Sequence, residues 1–282
     1  MTHIACIANT TAGRYRLRDA QQFDSAAEEL GMTVSHVTQF DTQTHHFEWP
    51  KKTIDAVWIM GGDGTIRDVV TDMKRIGLNV PIGITPLGTC NVLAHALGIT
   101  RGNTDYSALR RWTPTTIRMG LFNTQPFLMA ISTGIDASIV HHVSVRLKRW
   151  IGRYAYAIEL IRHGGRVSNR SAVVLETPTQ SYVGTGCIIT NTPHYAGPFV
   201  LTHTPLTAPA LTAVVHRFKS VWHWVGFLVL LVLGKTHRHP QVQHIPITTA
   251  TLHTGQPIQC DGDGVFSDAH LSISATQLAV LL

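Results

Sequence analysis

Gly61-Gly62-Asp63-Gly64-Thr65 follows directly on the apolar run Ala56 to Met60 and precedes Ile66, Val69, Val70 and Met73, which recur at helical spacing. The run reads as a buried strand and the spacing as a helix over Ile66 to Ile76, so the glycines mark a strand-to-helix turn. The same alternation extends outward on both sides. His3 to Ala8 predicts a strand, Asp19 to Leu30 a helix with Phe23, Ala26, Ala27 and Leu30 on one face, and Met32 to Val37 a second strand. Beyond the glycines, Val80 to Ile84 predicts a strand ended by Pro86-Leu87-Gly88, and Asn91 to Leu97 a helix. Strands alternating with helices predict a parallel sheet covered on both faces. Near Trp112 to Met119 the pattern changes. From Phe127 onward, short Val, Ile and Thr-rich strands follow, with turns at Thr192-Pro193 and Gly197-Pro198 and one helix over Ser138 to His163. The expectation is an α/β domain over 1–120 and a β-rich domain over 121–270, with the final strand Leu271 to Leu282 able to pack on either.

Composition agrees with a folded chain. Of 282 residues, 44% are apolar and 14% charged, with 23 glycines, which excludes a disordered tail protein, a coiled coil and a collagen-like repeat. Cys6, Cys90, Cys187 and Cys260 are far apart with no CxxC pair, so they read as small apolar residues rather than a zinc or disulfide framework. The apolar run Ile4 to Ala8 is too short for a signal-peptide core, and no stretch reaches the length of a membrane span, so a cytosolic location is expected. The net charge of +6 is unevenly spread, because no carboxylate occurs between Glu176 and Asp261. Arg217, Lys219, Lys235 and Arg238 fall in that window. Such a segment suits an anionic surface, nucleic acid or the face of a membrane; a solvated β domain with Thr and His on its polar side is the plainer alternative.

The carboxyl ends of three strands carry polar, glycine-bearing loops: Asn9-Thr10-Thr11-Ala12-Gly13, Gly61 to Thr65, and Pro86-Leu87-Gly88-Thr89-Cys90-Asn91. Ligands bind at that edge in open α/β folds, where glycine backbone and a helix N-terminus favour a phosphate. The stretch is neither a Walker A loop nor GxGxxG, since Lys is absent and the spacing differs.

On these residues the chain resembles the diacylglycerol kinase catalytic-domain family, which includes bacterial soluble lipid kinases and sphingosine kinases and is distantly related to NAD kinases. Gly61 to Thr65 resembles its GGDGT signature and Pro86 to Asn91 its PLGTxN. Further along, Gly134-Ile135-Asp136-Ala137, Gly152 to Tyr156, Asn191 to Tyr195 and Asp261-Gly262-Asp263 resemble later family segments in the same order. The resemblance implies an N-terminal α/β nucleotide-binding domain followed by a β-sandwich-like domain, with the active site between them. It implies ATP held by Asn9, Gly13, Gly61, Gly62, Asp63, Gly64, Thr65, Arg67, Thr89 and Asn91, with Asp63 near Mg2+. The family's late acidic residue, which accepts the substrate hydroxyl's proton, falls on Asp263, an Asp where the family has Glu. The implied activity is transfer of the γ-phosphoryl group of ATP to a hydroxyl of a membrane lipid, diacylglycerol or a relative, by a peripheral protein at the inner face of the membrane. No nucleic-acid partner is implied, and a homodimer is admissible. The alternatives are a kinase of a soluble alcohol, of NAD-kinase type, and a catalytically weak nucleotide-sensing, membrane-associated protein.

Some positions depart from the family. Asn9 to Gly13 lacks the proline and serine of NPxSG, Val92 follows Asn91 where an Asp is usual, and Ala208 to Ala213 has no carboxylate where many bacterial members bind a structural Mg2+. That metal is expected to be absent, since a hard cation wants anionic oxygen ligands. Val221 to Gly234 is uncharged, with Trp222 and Trp224 inside and Arg217, Lys219, Lys235 and Arg238 around it. Fourteen residues are too few to span a bilayer, which leaves a buried core helix or an in-plane interfacial one. The pairs His45-His46, His141-His142 and His237-x-His239 lack the carboxylates and spacing of a metal site.

Overall fold

The computed structural model of the protein describes residues 2–37, 40–41, 46–100, 106–134, 172–195, 199–266 and 270–282. The helix expected over Ser138 to His163, with Asp136 and Gly152 to Tyr156, lies outside the described residues. Two units emerge from the packing: Met1–Ile117 with Gln277–Leu282, and Arg118–Thr276.

The first unit runs β1 (His3–Ala8), α1 (Leu17–Glu29), β2 (Thr33–Val37), β3 (Phe40–Asp41), β4 (His46–Phe47), β5 (Ala56–Gly61), α2 (Asp63–Arg75), β6 (Ile82–Pro86), α3 (Val92–Ala96) and α4 (Ser107–Arg111). Strands β2, β1, β5 and β6 lie side by side and parallel, with Ile4 opposite Ala56 and Ile59 opposite Ile84. Every residue of β5 and β6 is buried, which explains their continuous apolar runs. Helix α1 buries Ala20, Phe23 and Ala27, and α2 buries Ile66, Val69, Val70 and Met73, the faces read from their spacing. Phe23, Trp58 and Tyr106 pack into one aromatic core, tilted or edge to face, with ring centroids 5.0 to 5.6 Å apart.

The second unit contains β7 (Pro114–Phe122, whose first residues belong to unit 1), β8 (Gln125–Phe127), β9 (Ala130–Thr133), β10 (Val173–Glu176), β11 (Ser181–Gly184), β12 (Gly186–Thr190), β13 (His194–Tyr195), β14 (Phe199–Val200) and β15 (Leu211–His216). Then come α5 (Val221–Val232), β16 (Val242–Ile247), β17 (Thr249–His253), β18 (Ile258–Cys260), β19 (Asp263–Phe266) and β20 (His270–Leu281). A six-stranded sheet, β16-β15-β12-β9-β18-β19, shares a core with the run β11-β10-β17-β20. Ile189, Ala213 and Val215 face that shared core, whereas Ile188 and Val214 turn to the opposite side and pack under α5. The six-stranded sheet is thus covered on both faces there, so β12 and β15 are buried at every position rather than at alternate ones. The last strand serves both units: Leu271 to Ser274 pair antiparallel with β17, and Val280 pairs parallel with Ile82 of β6. The α/β-plus-β architecture matches the sequence reading.

Candidate functional site

The glycine signature is already helix. Gly62 is the N-cap of α2, and Asp63, Gly64 and Thr65 form its first turn, three residues earlier than the apolar spacing suggests. The first N–H groups of any helix have no carbonyl partner within it and carry the positive end of its dipole. In α2 those groups belong to the residues that the sequence marks for phosphate.

Two glycines then let the β5 and β6 ends close on each other. A Cβ on Gly88 would stand 2.6 Å from the Cα of Gly62, and one on Gly62 would stand 2.9 Å from the Cα of Gly88. The Leu87 N–H donates to Gly61 O at 2.8 Å. Asn91, in the left-handed region at φ 47°, brackets the turn. Its Oδ1 accepts from Gly88 N–H and its Nδ2 donates to Gly88 O, both at 2.9 Å. The β1 loop joins through Asn9, whose Nδ2 donates to Thr65 Oγ1 at 2.9 Å. Asn9 Oδ1 accepts from Thr11 N–H at 3.0 Å and from the Thr11 hydroxyl at 2.7 Å, so Thr11 closes the turn that lacks the family's proline and serine.

Asp63 is fixed from below. Its carboxylate accepts the N–H of Val92 at 2.9 Å and of Leu93 at 3.2 Å, the open N-terminus of α3. Burial pushes its carboxyl above the ordinary value, and these backbone bonds oppose the shift in part. The backbone N–H groups of Asn91 and of Asp63 itself also act on the carboxylate, so it is held from several sides. Thr89 and Gly13 lie exposed at the same loops. Arg67, one turn into α2, is 3.5 Å from Asp68. Asn9, Gly61, Gly62, Asp63, Thr65, Gly88 and Asn91 therefore form one bonded corner. Unit 1 also holds a cavity of about 270 Å³ whose walls include Trp58, Thr85, Pro86, Ile99, Tyr106 and Arg111. Of these wall residues only Pro86 belongs to a motif marked in the sequence.

In the second unit, Asp261 and Gly262 take φ of 52° and 80° between the paired residues Cys260 and Asp263. Asp-Gly with both φ positive is the type I′ hairpin turn. Asp261 also clamps a neighbouring segment, accepting the N–H of Leu128 at 2.9 Å, Met129 at 2.8 Å and Ala130 at 3.0 Å. The first Asp of the motif is thereby structural, a role the sequence does not reveal. Asp263 opens β19 as the first residue after the turn, and its side chain lies outside the described part of the structure. The carboxylate-free stretch near Ala208 forms a turn from Pro205, and the Arg118 guanidinium donates to Ala208 O. Of the histidine pairs, His46 bonds the buried Asp72 carboxylate at 3.1 Å, while His237 lies within a short 3-10 turn beside His203 and His244, and His239 caps that turn beside Phe218 and His223.

Comparison with known proteins follows this geometry. Residues 3–121 match the family model of the diacylglycerol kinase catalytic domain. The diacylglycerol kinase of Bacillus subtilis (strain 168) is 29% identical over 168 residues, 56% of this chain and 54% of that protein. The chain thus matches about half the length of that relative. A solved diacylglycerol kinase of Bacillus anthracis superposes with a TM-score of 0.76 at 16% identity, covering 99% of this chain and 96% of that one. An NAD kinase of Archaeoglobus fulgidus, solved with ATP, gives 0.56 at 13% identity over 100% and 94%. The two solved structures share the fold with this chain.

Proposed function

We propose, from the match of residues 3–121 to the family model of the diacylglycerol kinase catalytic domain, that the protein is an ATP-dependent lipid kinase. It transfers the γ-phosphoryl group to a hydroxyl of a membrane lipid of the diacylglycerol class. The observation that carries this reading is the bonded corner at the ends of β5 and β6, where Gly62 and Gly88 are apposed and the first turn of α2 begins. The N–H groups of that turn bind the nucleotide's phosphates, as helix N-termini bind anions generally. Thr65 and Asn9 hold the neighbouring loop against it. Mg2+, when bound, neutralises charge on the β and γ phosphates. Asp63 would serve it as one anionic oxygen ligand beside the phosphates, its orientation fixed by backbone bonds. Asp263 accepts the proton of the lipid hydroxyl as that oxygen bonds to the γ-phosphorus and the bridging oxygen leaves on ADP.

The test is label transfer from [γ-32P]ATP to a total lipid extract, with the product identified by mass spectrometry and NAD offered in a parallel reaction. A labelled phospholipid is expected. Label in NAD, or in neither acceptor, overturns the reading. Asp263→Asn keeps the shape and removes the basicity, and is expected to lower kcat by roughly 10² to 10⁴ with nucleotide affinity unchanged.

A further inference from the structure

Helix α5 is apolar apart from His223, and among the described residues one of its faces is buried. Trp224, Phe227 and Leu231 are buried against Ile188, Val214, Phe218 and Val242. On the other side Trp222 is 76% exposed, Val229 53%, Val232 67% and Leu233 59%. Residues seven and eleven apart share a helix face to within about 20°, so Trp222, Val229 and Leu233 form one outward stripe, with Val232 beside it. The helix is closed by a glycine: Gly234, at φ 65°, lets Gly234 N–H reach Leu231 O and Lys235 N–H reach Leu230 O.

The stripe is bordered by cations. Lys219 before the helix and Lys235 and Arg238 after it are exposed, and none pairs with a carboxylate among the described residues. No carboxylate exists anywhere from residue 177 to residue 260. At about 1.5 Å per residue the helix is roughly 18 Å long, short of the ~30 Å hydrocarbon core. Among the described residues no helix is long and apolar enough to cross a membrane.

We propose that α5 docks this protein in the plane of an anionic lipid bilayer. Trp222 sits at headgroup depth, Val229, Val232 and Leu233 enter the acyl boundary, and Lys219, Lys235 and Arg238 meet the lipid phosphates. A second copy of the chain is the weaker occupant, because it would bring the same cations with no carboxylate in the segment to meet them. The proposal deepens the lipid-kinase reading, and rests on it for the purpose of docking, by naming the surface that meets the substrate's bilayer.

The experiment uses the whole protein and vesicles of phosphatidylcholine with or without phosphatidylglycerol, read by cosedimentation. Binding is expected to the anionic vesicles and to be much weaker without phosphatidylglycerol. Trp222→Gln with Val229→Gln and Val232→Gln alters only exposed side chains and is expected to weaken binding by about tenfold or more. Lys235→Gln with Arg238→Gln is expected to remove roughly tenfold of the preference for anionic vesicles. Wild-type binding by the triple variant, or no binding by the wild type, overturns the proposal. A wild-type dimer that the triple variant converts to monomer in sedimentation velocity, without vesicle binding by either, assigns the stripe to a second copy and overturns it too. Phosphoryl transfer to lipid in detergent micelles is measured separately. Vesicle binding that depends on the stripe supports docking even where micellar transfer is absent, and that absence counts against the kinase reading alone.

Discussion

At the ends of β5 and β6, Asn9, Asp63 and Asn91 are bonded to neighbouring loops or to their backbone, and two glycines press together where any side chain would collide. Along α5 the terms are reversed: one apolar face packs inward while Trp222, Val229, Val232 and Leu233 face solvent beside cations that pair with no carboxylate among the described residues. The first region has its geometry set before any ligand arrives, which is what positioning a phosphate requires. The second is complete only as a scaffold, and four large apolar side chains of its outward half stay exposed. A site for chemistry is made by internal bonding, whereas a surface for docking is made by leaving burial unfinished.

The strongest way to break this contrast is to attack the inward face of α5. Trp224 is 2% exposed and its ring lies 4.6 Å from Phe218 and 4.9 Å from His216. Trp224→Ala is expected to cost about 3 to 5 kcal/mol, read as a lowered urea midpoint. A cost below about 1 kcal/mol would mean that this face is not core.

His216 provides a pH test of the same core. It is fully enclosed, stacked on Phe218 at 4.4 Å, and burial, with His239 adding to it, pushes its pKa down from 6.5 to about 3. Above 6.5 the ring is neutral whether folded or not, so the stability from keeping it neutral is fully present. As pH falls below 6.5 the unfolded chain takes up a proton that the folded chain refuses until about 3, and stability drops by about 1.4 kcal/mol per pH unit. His216→Phe is expected to reduce the slope by about 1.4 kcal/mol per pH unit between about pH 6 and 5, where few ordinary carboxylates titrate, the remainder coming from His239 and His244, which burial also pushes down. An unchanged slope would show that His216 is not the group responsible.

In unit 1, Gly88→Ala forces a methyl group to 2.6 Å from Gly62 Cα and 2.8 Å from Asn91 Oδ1. The backbone must part to admit it. The expected cost is about 1 to 3 kcal/mol, accompanied by weaker ATP binding in calorimetry. Gly13→Ala meets nothing within 4 Å and serves as the control for stability alone.

Much of this was legible in the sequence, and the failures have identifiable causes. The strands β1, β5 and β6 announced themselves as apolar runs, and α1 and α2 by spaced apolar residues. The start of α2 was placed late because Gly62-Asp63-Gly64 has the composition of a loop, although its backbone is helical from Asp63. The bonds that define the corner were not legible: Asp63 finds its partners at Val92 and Leu93, and Asp261 at Leu128 to Ala130, separations that no local pattern encodes. For α5 the composition is apolar apart from His223, so periodicity could not say which face is buried; only the sheet beneath decides that. One clue was present, since residues two apart project to nearly opposite sides of a helix. Trp222 and Trp224 were never a pair.

The smallest expected effect therefore carries the most weight for the comparison. Trp222 touches water over three-quarters of its surface, while Trp224, two positions on, is enclosed. Stability responds to burial lost on mutation, and substitutions at exposed sites away from caps, networks and strained backbone usually change it by less than about 0.5 kcal/mol. Trp222→Ala is accordingly expected to leave the urea midpoint within that margin, against the loss of about 3 to 5 kcal/mol for Trp224→Ala. A stability cost above about 1 kcal/mol at Trp222 would mean that the outward stripe is covered within the folded chain. In that case any fall in vesicle binding by Trp222 variants would report unfolding rather than docking. A neutral Trp222→Ala that nonetheless binds vesicles less tightly separates the two faces of one helix into one that holds the fold and one that meets the bilayer.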